Sequence, residues 1–270
     1  HADTSEAPTI NSYSSTSTLD WVNSQGPHRS DSLDPMTSTN NDTPANTPGD
    51  VTLTQSTSTA AKPVDTQQVR FLQINLQKSK AAQASFVNDL QHYKTCIAMI
   101  QEPYVTKYGS ITPNTKGTIR YKVAGAARSC IITSKDVKAW SLGEFTDSDI
   151  TTIMWFTQDP ATPKIIICSW YADILLPTIH PKLKSLVAHA KRMRIPLIIG
   201  ADTNSHSTLW GCEENNKRGE DLDRFLLQHG LSVANQGNTV TFDAGFRSSI
   251  IDVTIYNRFL SLPITKWRVD

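Results

Sequence analysis

The sequence IPLIIGADTNSH, residues 195–206, decides the fold of this chain. Its first half is an apolar, isoleucine-rich run, which predicts a buried strand. Asp202 and Asn204 follow at the carboxyl end of that strand, and open α/β sheets bind their ligands at this edge. Asp and Asn after a strand are also common turn residues and helix N-caps, so this stretch alone leaves a structural and a functional interpretation open.

Other strand-like stretches carry polar side chains of a matching kind. One alternates apolar and polar residues and ends on Asn75, and an apolar run is followed by Glu102. Asp252 lies inside an apolar stretch, where an unpaired carboxylate is expensive and needs a designed partner or a function. Because carboxylates and amides are ligands that Mg²⁺ accepts, we expect Asn75, Glu102, Asp202, Asn204 and Asp252 to converge on one hard cation and one phosphate.

The rest of the pattern predicts amphipathic helices and short strands. Helices are expected over 81–93, 181–194 and 218–229, with Gly230 ending the last. Strands are expected near 69–75, 96–101, 129–134, 151–156, 164–171, 196–201, 232–234, 239–242 and 250–256. Strands that follow one another without helices in 118–171 argue against simple α/β alternation and favour two sheets packed face to face. The four cysteines lack zinc-site spacing and are expected to be small core residues.

Five short motifs occur in a fixed order along the chain. They are Gln73-Ile74-Asn75, Gln101-Glu102-Pro103-Tyr104, Ser169-Trp170-Tyr171, Gly200-Ala201-Asp202-Thr203-Asn204 and Ser249-Ile250-Ile251-Asp252. Each is weak alone, but the ordered series is specific. Over residues 68–270 the series resembles the endonuclease/exonuclease/phosphatase superfamily, and within it the apurinic-endonuclease-like domains of non-LTR, LINE-type retrotransposon polyproteins. The resemblance implies an α/β fold of the DNase I type, with two packed mixed β-sheets flanked by helices in a four-layer sandwich.

Composition divides the chain into two parts. Residues 1–67 contain 24 Ser and Thr residues and show no apolar periodicity, so we expect this segment to be disordered. The segment has two basic and eight acidic residues, which leaves 24 basic and 17 acidic residues in 68–270, a net charge of +7. A moderately basic domain suits a phosphate-backbone ligand, although ordinary solubilising charge is the alternative.

Phosphodiester hydrolysis suggests a role for each polar residue. It requires an activated water, a cation that neutralises developing charge, and donors aimed at the non-bridging oxygens. Glu102 is expected as the principal Mg²⁺ ligand, with Mn²⁺ as the alternative ion, and Asn75 as a nearby metal or phosphate contact. Asp202 would orient or deprotonate the water, and Asn204 would donate to the phosphorane. The resemblance implies the same roles and adds Tyr171 as a phosphate or leaving-group contact; a half-buried structural aromatic is the alternative.

The chain departs from the family pattern at two points. Relatives usually follow the tyrosine with Pro-Asn, whereas Ala172 and Asp173 follow Tyr171 here. The resemblance also implies a terminal Ser-Asp-His, whose histidine would be the catalytic partner of Asp252. The chain stops at Asp270 before such a motif, so we expect the domain to be truncated, which leaves the activity of this fragment open.

Four residues are expected to contact DNA: Tyr104, His206, Phe246 and Arg247. Phe246 and Arg247 lie on a turn beside Asp252, where an aromatic ring can wedge against base steps and an arginine can follow the minor groove. Phe246 could instead pack under its own loop, and His206 could instead support its loop by hydrogen bonding.

The leading functional hypothesis is a Mg²⁺-dependent endonuclease that nicks double-stranded target DNA to prime reverse transcription in retrotransposition. The alternatives are another phosphoesterase of the superfamily and a non-catalytic DNA-binding remnant. The resemblance implies a reverse transcriptase domain downstream, synthesis in the cytoplasm and action on chromosomal DNA in the nucleus. No run of about 18 apolar residues occurs, so no membrane partner is expected.

Overall fold

A computed structural model gives the architecture of the chain. It describes residues 69–243, 248–260 and 265–269, with the backbone alone at 265 and 266. It also describes the backbone of two short strands, Tyr13–Ser14 and Ser17–Trp21.

The described residues form strands, three α-helices and three short 3₁₀ turns. The strands are β1 (Tyr13–Ser14), β2 (Ser17–Trp21), β3 (Val69–Asn75), β4 (Cys96–Gln101), β5 (Thr118–Tyr121), β6 (Ser129–Ser134), β7 (Ala139–Ser141), β8 (Ile150–Phe156), β9 (Lys164–Tyr171), β10 (Leu197–Asp202), β11 (Leu231–Val233), β12 (Phe242–Asp243), β13 (Ser248–Ser249), β14 (Asp252–Asn257) and β15 (Thr265–Val269). The helices are α1 (Lys80–Asp89), α2 (Pro181–Met193) and α3 (Lys217–His229). The 3₁₀ turns are Leu90–His92, Gly143–Phe145 and Thr208–Trp210.

Most strands belong to two six-stranded mixed sheets. The first sheet has the order β15-β2-β3-β4-β6-β5, and the second has the order β11-β14-β10-β9-β8-β7. Each sheet contains one parallel pair, β3 with β4 and β9 with β10, while its other pairs are antiparallel. A small third sheet joins β1, β12 and β13. The carboxyl ends of each parallel pair therefore lie at one edge of their sheet.

The two large sheets pack face to face between layers of helix. The inner layer joins residues of both sheets, among them Phe71 and Ile97 from the first and Ile167 and Ile198 from the second. A second hydrophobic core lies between the outer face of the second sheet and helices α2 and α3. A third lies between the outer face of the first sheet and helix α1. This is the predicted four-layer α/β sandwich. The run at residues 195–200 is apolar throughout because β10 is buried on both faces, with Ile198 inward and Ile199 against the helices.

Polar side chains join the sheets near the edge where the parallel strands end. Gln73 Nε2 donates to the Ala201 carbonyl at 2.9 Å, and Gln101 Nε2 donates to the Gly200 carbonyl at 3.0 Å. A Cβ at Gly200 would lie 2.8 Å from the Met99 sulfur, so a larger residue here would require the Met99 side chain to shift. Direct hydrogen bonds between the two sheets thus fix the positions of the strand ends.

The structure confirms most predicted elements. All three helices form, and Gly230 ends α3 in the left-handed conformation with φ 64°. Cys96, Cys130 and Cys168 are buried and unpaired, as expected of small core residues, and Cys212 is half-buried and also free. Among the residues described here, no helix is both long and apolar enough to cross a membrane.

Several short strands differ from the sequence expectation. β5, β7 and β15 were not predicted, since they are short and lie at or near sheet edges. The predicted strand at 239–242 forms only at its end, because the Thr241 hydroxyl instead accepts the backbone N–H groups of Ile251 and Asp252.

The N-terminal segment also differs from expectation at two places. β1 and β2 lie within residues 1–67, where disorder was expected, and β2 pairs antiparallel with β3. The reason is that β3 offers an unpaired strand edge, and the local sequence Ser17-Thr18-Leu19-Asp20-Trp21 alternates polar and apolar residues as a strand requires. For the segment as a whole, disorder stays a prediction.

Candidate active site

The predicted polar residues meet at one edge of the two sheets. Asn75 ends β3, Tyr171 ends β9 and Asp202 ends β10, since each parallel pair brings its carboxyl ends there. β14 runs the opposite way and begins at the same edge, so Asp252 pairs with Asp202 in register. A pocket of about 280 Å³ opens at this edge. The predicted residues that line it are Asn75, Glu102, Tyr171, Asp202, Asn204 and His206.

Asn75 bridges the two acidic groups of the pocket. Its Nδ2 donates to Asp202 Oδ2 at 2.6 Å and to Glu102 Oε2 at 3.3 Å. Its Oδ1 accepts the backbone N–H of Gln77 at 2.7 Å, which fixes the orientation of the amide. Asn75 therefore holds the two carboxylates in position, and its predicted role as a metal or phosphate contact stays a prediction.

Asp202 is a buried carboxylate whose pKa lies near neutrality. Only 3% of its surface is exposed, and its Oδ1 accepts the Asn204 backbone N–H at 3.1 Å. Burial is the main cause that raises the pKa of Asp202, to about 6, and the nearby negative charge of Glu102 adds to it. The bonds from Asn75 and Asn204 and the charge of Arg218 oppose the rise. A carboxylate with this pKa can accept a proton near pH 7.

Asp252 lies beneath the pocket, beside Asp202. It is buried, and among the described residues its Oδ1 has no hydrogen-bond partner. Burial and the charge of Asp202 raise the pKa of Asp252 well above its usual range, while bonds to Thr241 and Gln73 oppose the rise. The sequence analysis required a partner or a function for this carboxylate. The open Oδ1 is where such a partner would bind.

Strained backbone shapes the site on both sides. Glu102 and Asn204 have φ angles of 45° and 44°, and Gln77 and Lys78 have φ angles of 48° and 57°. Residues other than glycine rarely adopt this left-handed conformation, and they do so mainly where function requires it. Hydrogen bonds enforce it at Glu102, whose N–H donates to the Arg128 carbonyl and whose carbonyl accepts the Lys78 N–H, both at 2.8 Å.

Glu102 provides the donor chemistry expected of a Mg²⁺ site. Its Oε2 faces Asn75, and its Oε1 lies 3.2 Å from the Lys78 ammonium. Within the described ranges, no three His, Cys, Asp or Glu side chains form a metal-binding group. Mg²⁺ is commonly held by one or two carboxylates and several waters, and the residues present fit that ion.

Tyr171 lines the pocket as a hydrogen-bond donor. Burial is the main cause that raises its pKa, to about 12, and the charges of Glu102 and Asp202 add to it. The Arg128 guanidinium lies 5.3 Å from the centre of the Tyr171 ring, within cation–π range. The hydroxyl therefore stays protonated near neutral pH. The functional interpretation of Tyr171 is consistent with this position.

An ion-pair network behind Tyr171 was missed by the sequence analysis. Arg128 binds both carboxylate oxygens of Asp149, at 2.5 and 2.6 Å, and also binds Asp173. Asp173 occupies the position at which relatives carry asparagine, and here it accepts the Leu175 N–H at 2.9 Å as well. That bond and Arg128 lower the pKa of Asp173. Arg128 and Asp149 belong to different sheets, so no local sequence signal reveals the network.

His206 reaches the pocket through a loop that packs on α3. Its backbone N–H donates to Asn216 Oδ1 at 3.1 Å, and its carbonyl accepts the Asn216 N–H at 3.0 Å. A Cβ at Gly219 would lie 1.8 Å from the His206 carbonyl oxygen, so only glycine permits this contact. The loop is thus supported by the backbone of His206, and His206 is one of the residues that line the pocket. Its predicted contact with DNA stays a prediction.

Arg218 is a further pocket residue that the sequence analysis used only to start a helix. It lines the pocket, and its charge acts on Asp202. The sequence Lys217-Arg218-Gly219 directly after the helix N-cap was the available signal, since a helix N-terminus next to a cation favours an anion.

The remaining predicted DNA contacts lie away from the pocket or outside the described residues. Tyr104 is half-buried and does not line the pocket; the Gln83 side chain holds its backbone with bonds of 2.8 and 3.0 Å. Phe246 and Arg247 lie outside the described residues. All three assignments stay predictions.

Comparison with known proteins agrees with the fold. A family model described as endonuclease-reverse transcriptase matches residues 148–269, which include Asp202 and Asp252. The solved endonuclease domain of TRAS1, a telomere-specific non-LTR retrotransposon, is similar to this chain, with 28% identity and a TM-score of 0.57 over 70% of this chain and 84% of that domain. The chain has the DNase I-like fold of the endonuclease/exonuclease/phosphatase superfamily.

A curated relative is also similar to this chain. The putative 115 kDa protein in the type-1 retrotransposable element R1DM of Drosophila melanogaster is 27% identical over 219 residues. The match covers 74% of this chain and 20% of that protein, so the chain spans about one fifth of the length of this relative. The chain is thus similar to endonuclease domains of non-LTR retrotransposons, and its fold is DNase I-like.

Proposed function

We propose that the chain is a Mg²⁺-dependent endonuclease domain that nicks double-stranded DNA. The observation that carries the proposal is Asp202, a buried carboxylate with a pKa of about 6 that Asn75 links to Glu102 in an open pocket. Such an arrangement combines the Asp202 carboxylate, which can accept a proton, with the Glu102 carboxylate, whose oxygens can bind a cation. The similarity to the TRAS1 endonuclease domain and the R1DM protein supports DNA as the substrate.

Glu102 would hold the metal ion, with Mn²⁺ as the alternative ion. Bound there, the ion supplies charge neutralisation at the reacting phosphate. Asp202 accepts the proton of the attacking water; Asn75 and the Asn204 N–H hold one carboxylate oxygen each, so its orientation is fixed before substrate binds. Tyr171 keeps its proton and donates to a phosphate oxygen. The Asn204 amide, which now donates to the Ala172 carbonyl at 3.2 Å, is placed to donate to the phosphate as well.

In retrotransposition this nick would prime reverse transcription. The partners would be chromosomal target DNA in the nucleus, after synthesis in the cytoplasm, and a reverse transcriptase domain of the same polyprotein. The similarity to part of the R1DM protein supports this context. The open Oδ1 of Asp252 supports the family expectation that a Ser-Asp-His histidine contributes to the site.

A plasmid-nicking assay tests the proposal. The chain, and the chain extended through the Ser-Asp-His segment of a relative, are compared with Mg²⁺ and with EDTA. Asp202→Ala in the extended chain should lower nicking by about 10²–10⁴-fold while DNA affinity stays nearly unchanged. Asp136→Ala, on an exposed turn after β6, is the matched control and should nick like the parent.

Four outcomes would contradict the proposal. Nicking by neither parent nor extended chain would overturn it. Equal loss of DNA binding and cleavage in Asp202→Ala would show a folding defect instead of a catalytic role. Hydrolysis of phosphomonoesters or lipid headgroups with no DNA cleavage would favour another phosphoesterase of the superfamily, and DNA binding without cleavage would favour a non-catalytic remnant.

A further inference from the structure

An exposed apolar loop borders the candidate active site. It consists of residues 174–177, Ile-Leu-Leu-Pro, which lie between β9 and α2 and are all exposed to solvent. Leu175 has 88% of its surface exposed. Single exposed apolar side chains are ordinary, whereas a consecutive run of this length marks a binding surface or an aggregation liability. We call residues 174–177 the apolar loop.

The backbone of the apolar loop is firmly held. Arg218 donates to the Leu176 carbonyl at 2.9 Å and to the Asp173 carbonyl at 3.2 Å. The Asp173 carboxylate accepts the Leu175 N–H at 2.9 Å, and it is itself fixed by Arg128. Charged groups thus hold the backbone while the aliphatic side chains remain in water. The loop presents a preformed apolar surface, which lowers the entropy lost when a ligand binds.

The apolar loop is continuous with the pocket. Ile174 lines the pocket together with Asp202 and Asn204, and Arg218 both lines the pocket and holds the loop. Asn204 donates to the Ala172 carbonyl immediately before the loop. A phosphate held in the pocket would therefore bring its neighbouring nucleotides against the apolar loop.

We propose that the apolar loop reads the base step beside the scissile phosphate, with Leu175 inserted against the bases. This inference rests on the proposed function, since the occupant is DNA held by the same pocket. Aliphatic side chains act as wedges in proteins that kink DNA, and the faces of the bases are apolar surfaces of matching size. Pyrimidine–purine steps unstack most easily, so Leu175 would direct nicking toward them.

Three variants separate this role from a structural one. Leu175→Ser removes the wedge, and the backbone bonds of the loop do not involve its side chain. Leu175→Met keeps an apolar side chain of similar volume and should behave like the parent. Leu227→Ser is the matched control, since Leu227 is 83% exposed but lies near the far end of α3 from Arg218.

The experiment has a binding arm and a cleavage arm. In the binding arm, short duplexes with 2-aminopurine at successive positions are mixed with each protein in EDTA, because unstacking raises the fluorescence of this base. In the cleavage arm, nick positions on plasmid DNA are mapped with Mg²⁺, using the chain form that nicks. Thermal unfolding of each variant verifies the fold.

The expected result is a fluorescence rise with the parent, Leu175→Met and Leu227→Ser that Leu175→Ser loses. DNA affinity should fall about tenfold in Leu175→Ser, as expected for one leucine that no longer becomes buried, and its nicks should spread over all base steps. A variant Leu175→Ser with the fluorescence, affinity and nick pattern of the parent would overturn the inference and leave the proposed function intact.

The two hypotheses can fail separately. If no protein nicks DNA, the proposed function fails, and the fluorescence arm still decides the inference: a signal lost only in Leu175→Ser supports it, and no signal with the parent overturns it. If Leu175→Ser instead abolishes self-association of the chain and leaves DNA contacts unchanged, the apolar loop binds a second copy and the inference is wrong.

Discussion

The burial of Asp202 predicts that the carboxylate proposed to accept the proton of the attacking water also destabilises the fold. The pKa of Asp202 is about 6, against 3.8 for an ordinary aspartate, a difference of about two units. At about 1.4 kcal/mol per unit, the ionised carboxylate lowers the free energy of unfolding by about 3 kcal/mol. The folded protein holds the proton more tightly than the unfolded chain. This destabilisation is therefore absent below about pH 4, grows as the pH rises to about 6, and is complete above it.

Asp202→Asn removes this titration together with the negative charge that raises the pKa of Asp252, and both changes favour the variant as the pH rises. Replacing the carboxylate disturbs its bond with Asn75 or Asn204, but that loss does not depend on pH. The difference in unfolding free energy between variant and parent should therefore shift by about 3 kcal/mol in favour of the variant between pH 4 and pH 7. The assay is urea unfolding followed by tryptophan fluorescence at a series of pH values, with EDTA present so that no cation compensates the charge.

Asp136→Asn is the control, since it makes the same chemical change on an exposed turn. If the difference in unfolding free energy between Asp202→Asn and the parent does not change with pH, or favours the parent as pH rises, Asp202 lacks its raised pKa and the argument is refuted. Nicking by Asp202→Asn should be lost even where the variant is the more stable protein.

Three further predictions follow from the site. Glu102→Gln should require far more Mg²⁺ for nicking, since a neutral ligand binds the ion less tightly; a metal titration equal to that of the parent would remove Glu102 from this role. Gly219→Ala should lower the thermal unfolding temperature and nicking together, because the new Cβ would lie 1.8 Å from the His206 carbonyl oxygen, and overpacking costs about 1–3 kcal/mol or more. Gly143→Ala, where a Cβ meets nothing within 4 Å, is its control, and equal melting of the two variants would contradict the contact. Phe246→Ala combined with Arg247→Ala should redistribute nicking among DNA sequences at unchanged thermal stability; an unaltered cleavage pattern at the same salt would place target choice elsewhere.

The sequence predicted the site residues that follow strand ends. Asn75, Glu102 and Asp202 each stand at the carboxyl end of a strong apolar strand, and parallel pairing brings such positions together without further information. Asp252 was found for a different reason, namely that a carboxylate inside an apolar strand is expensive. Local pattern and cost of burial were sufficient for these four.

Contacts between residues that are far apart in sequence could not be predicted from local sequence patterns. The pairing of Arg128 with Asp149 and Asp173 depends on the register of two sheets, and Arg218 reaches carbonyls more than 40 residues away in sequence. Each of these residues looks like ordinary surface charge in the sequence. The apolar loop could not be predicted either, because the sequence Ile-Leu-Leu does not show whether these side chains are exposed or buried in the folded protein.

The amide bridge at Asn75 has a consequence for how the enzyme tolerates change. Asn75 lies on one sheet and Asp202 on the other, so the 2.6 Å bond between them spans the interface of the sandwich. The distance between the Glu102 and Asp202 carboxylates therefore depends on the position of one sheet relative to the other. Met99 and Ile198 belong to the inner core between the two sheets. Substitutions in this apolar interior, outside the pocket, would therefore be expected to alter the spacing of the two acidic groups at the rim.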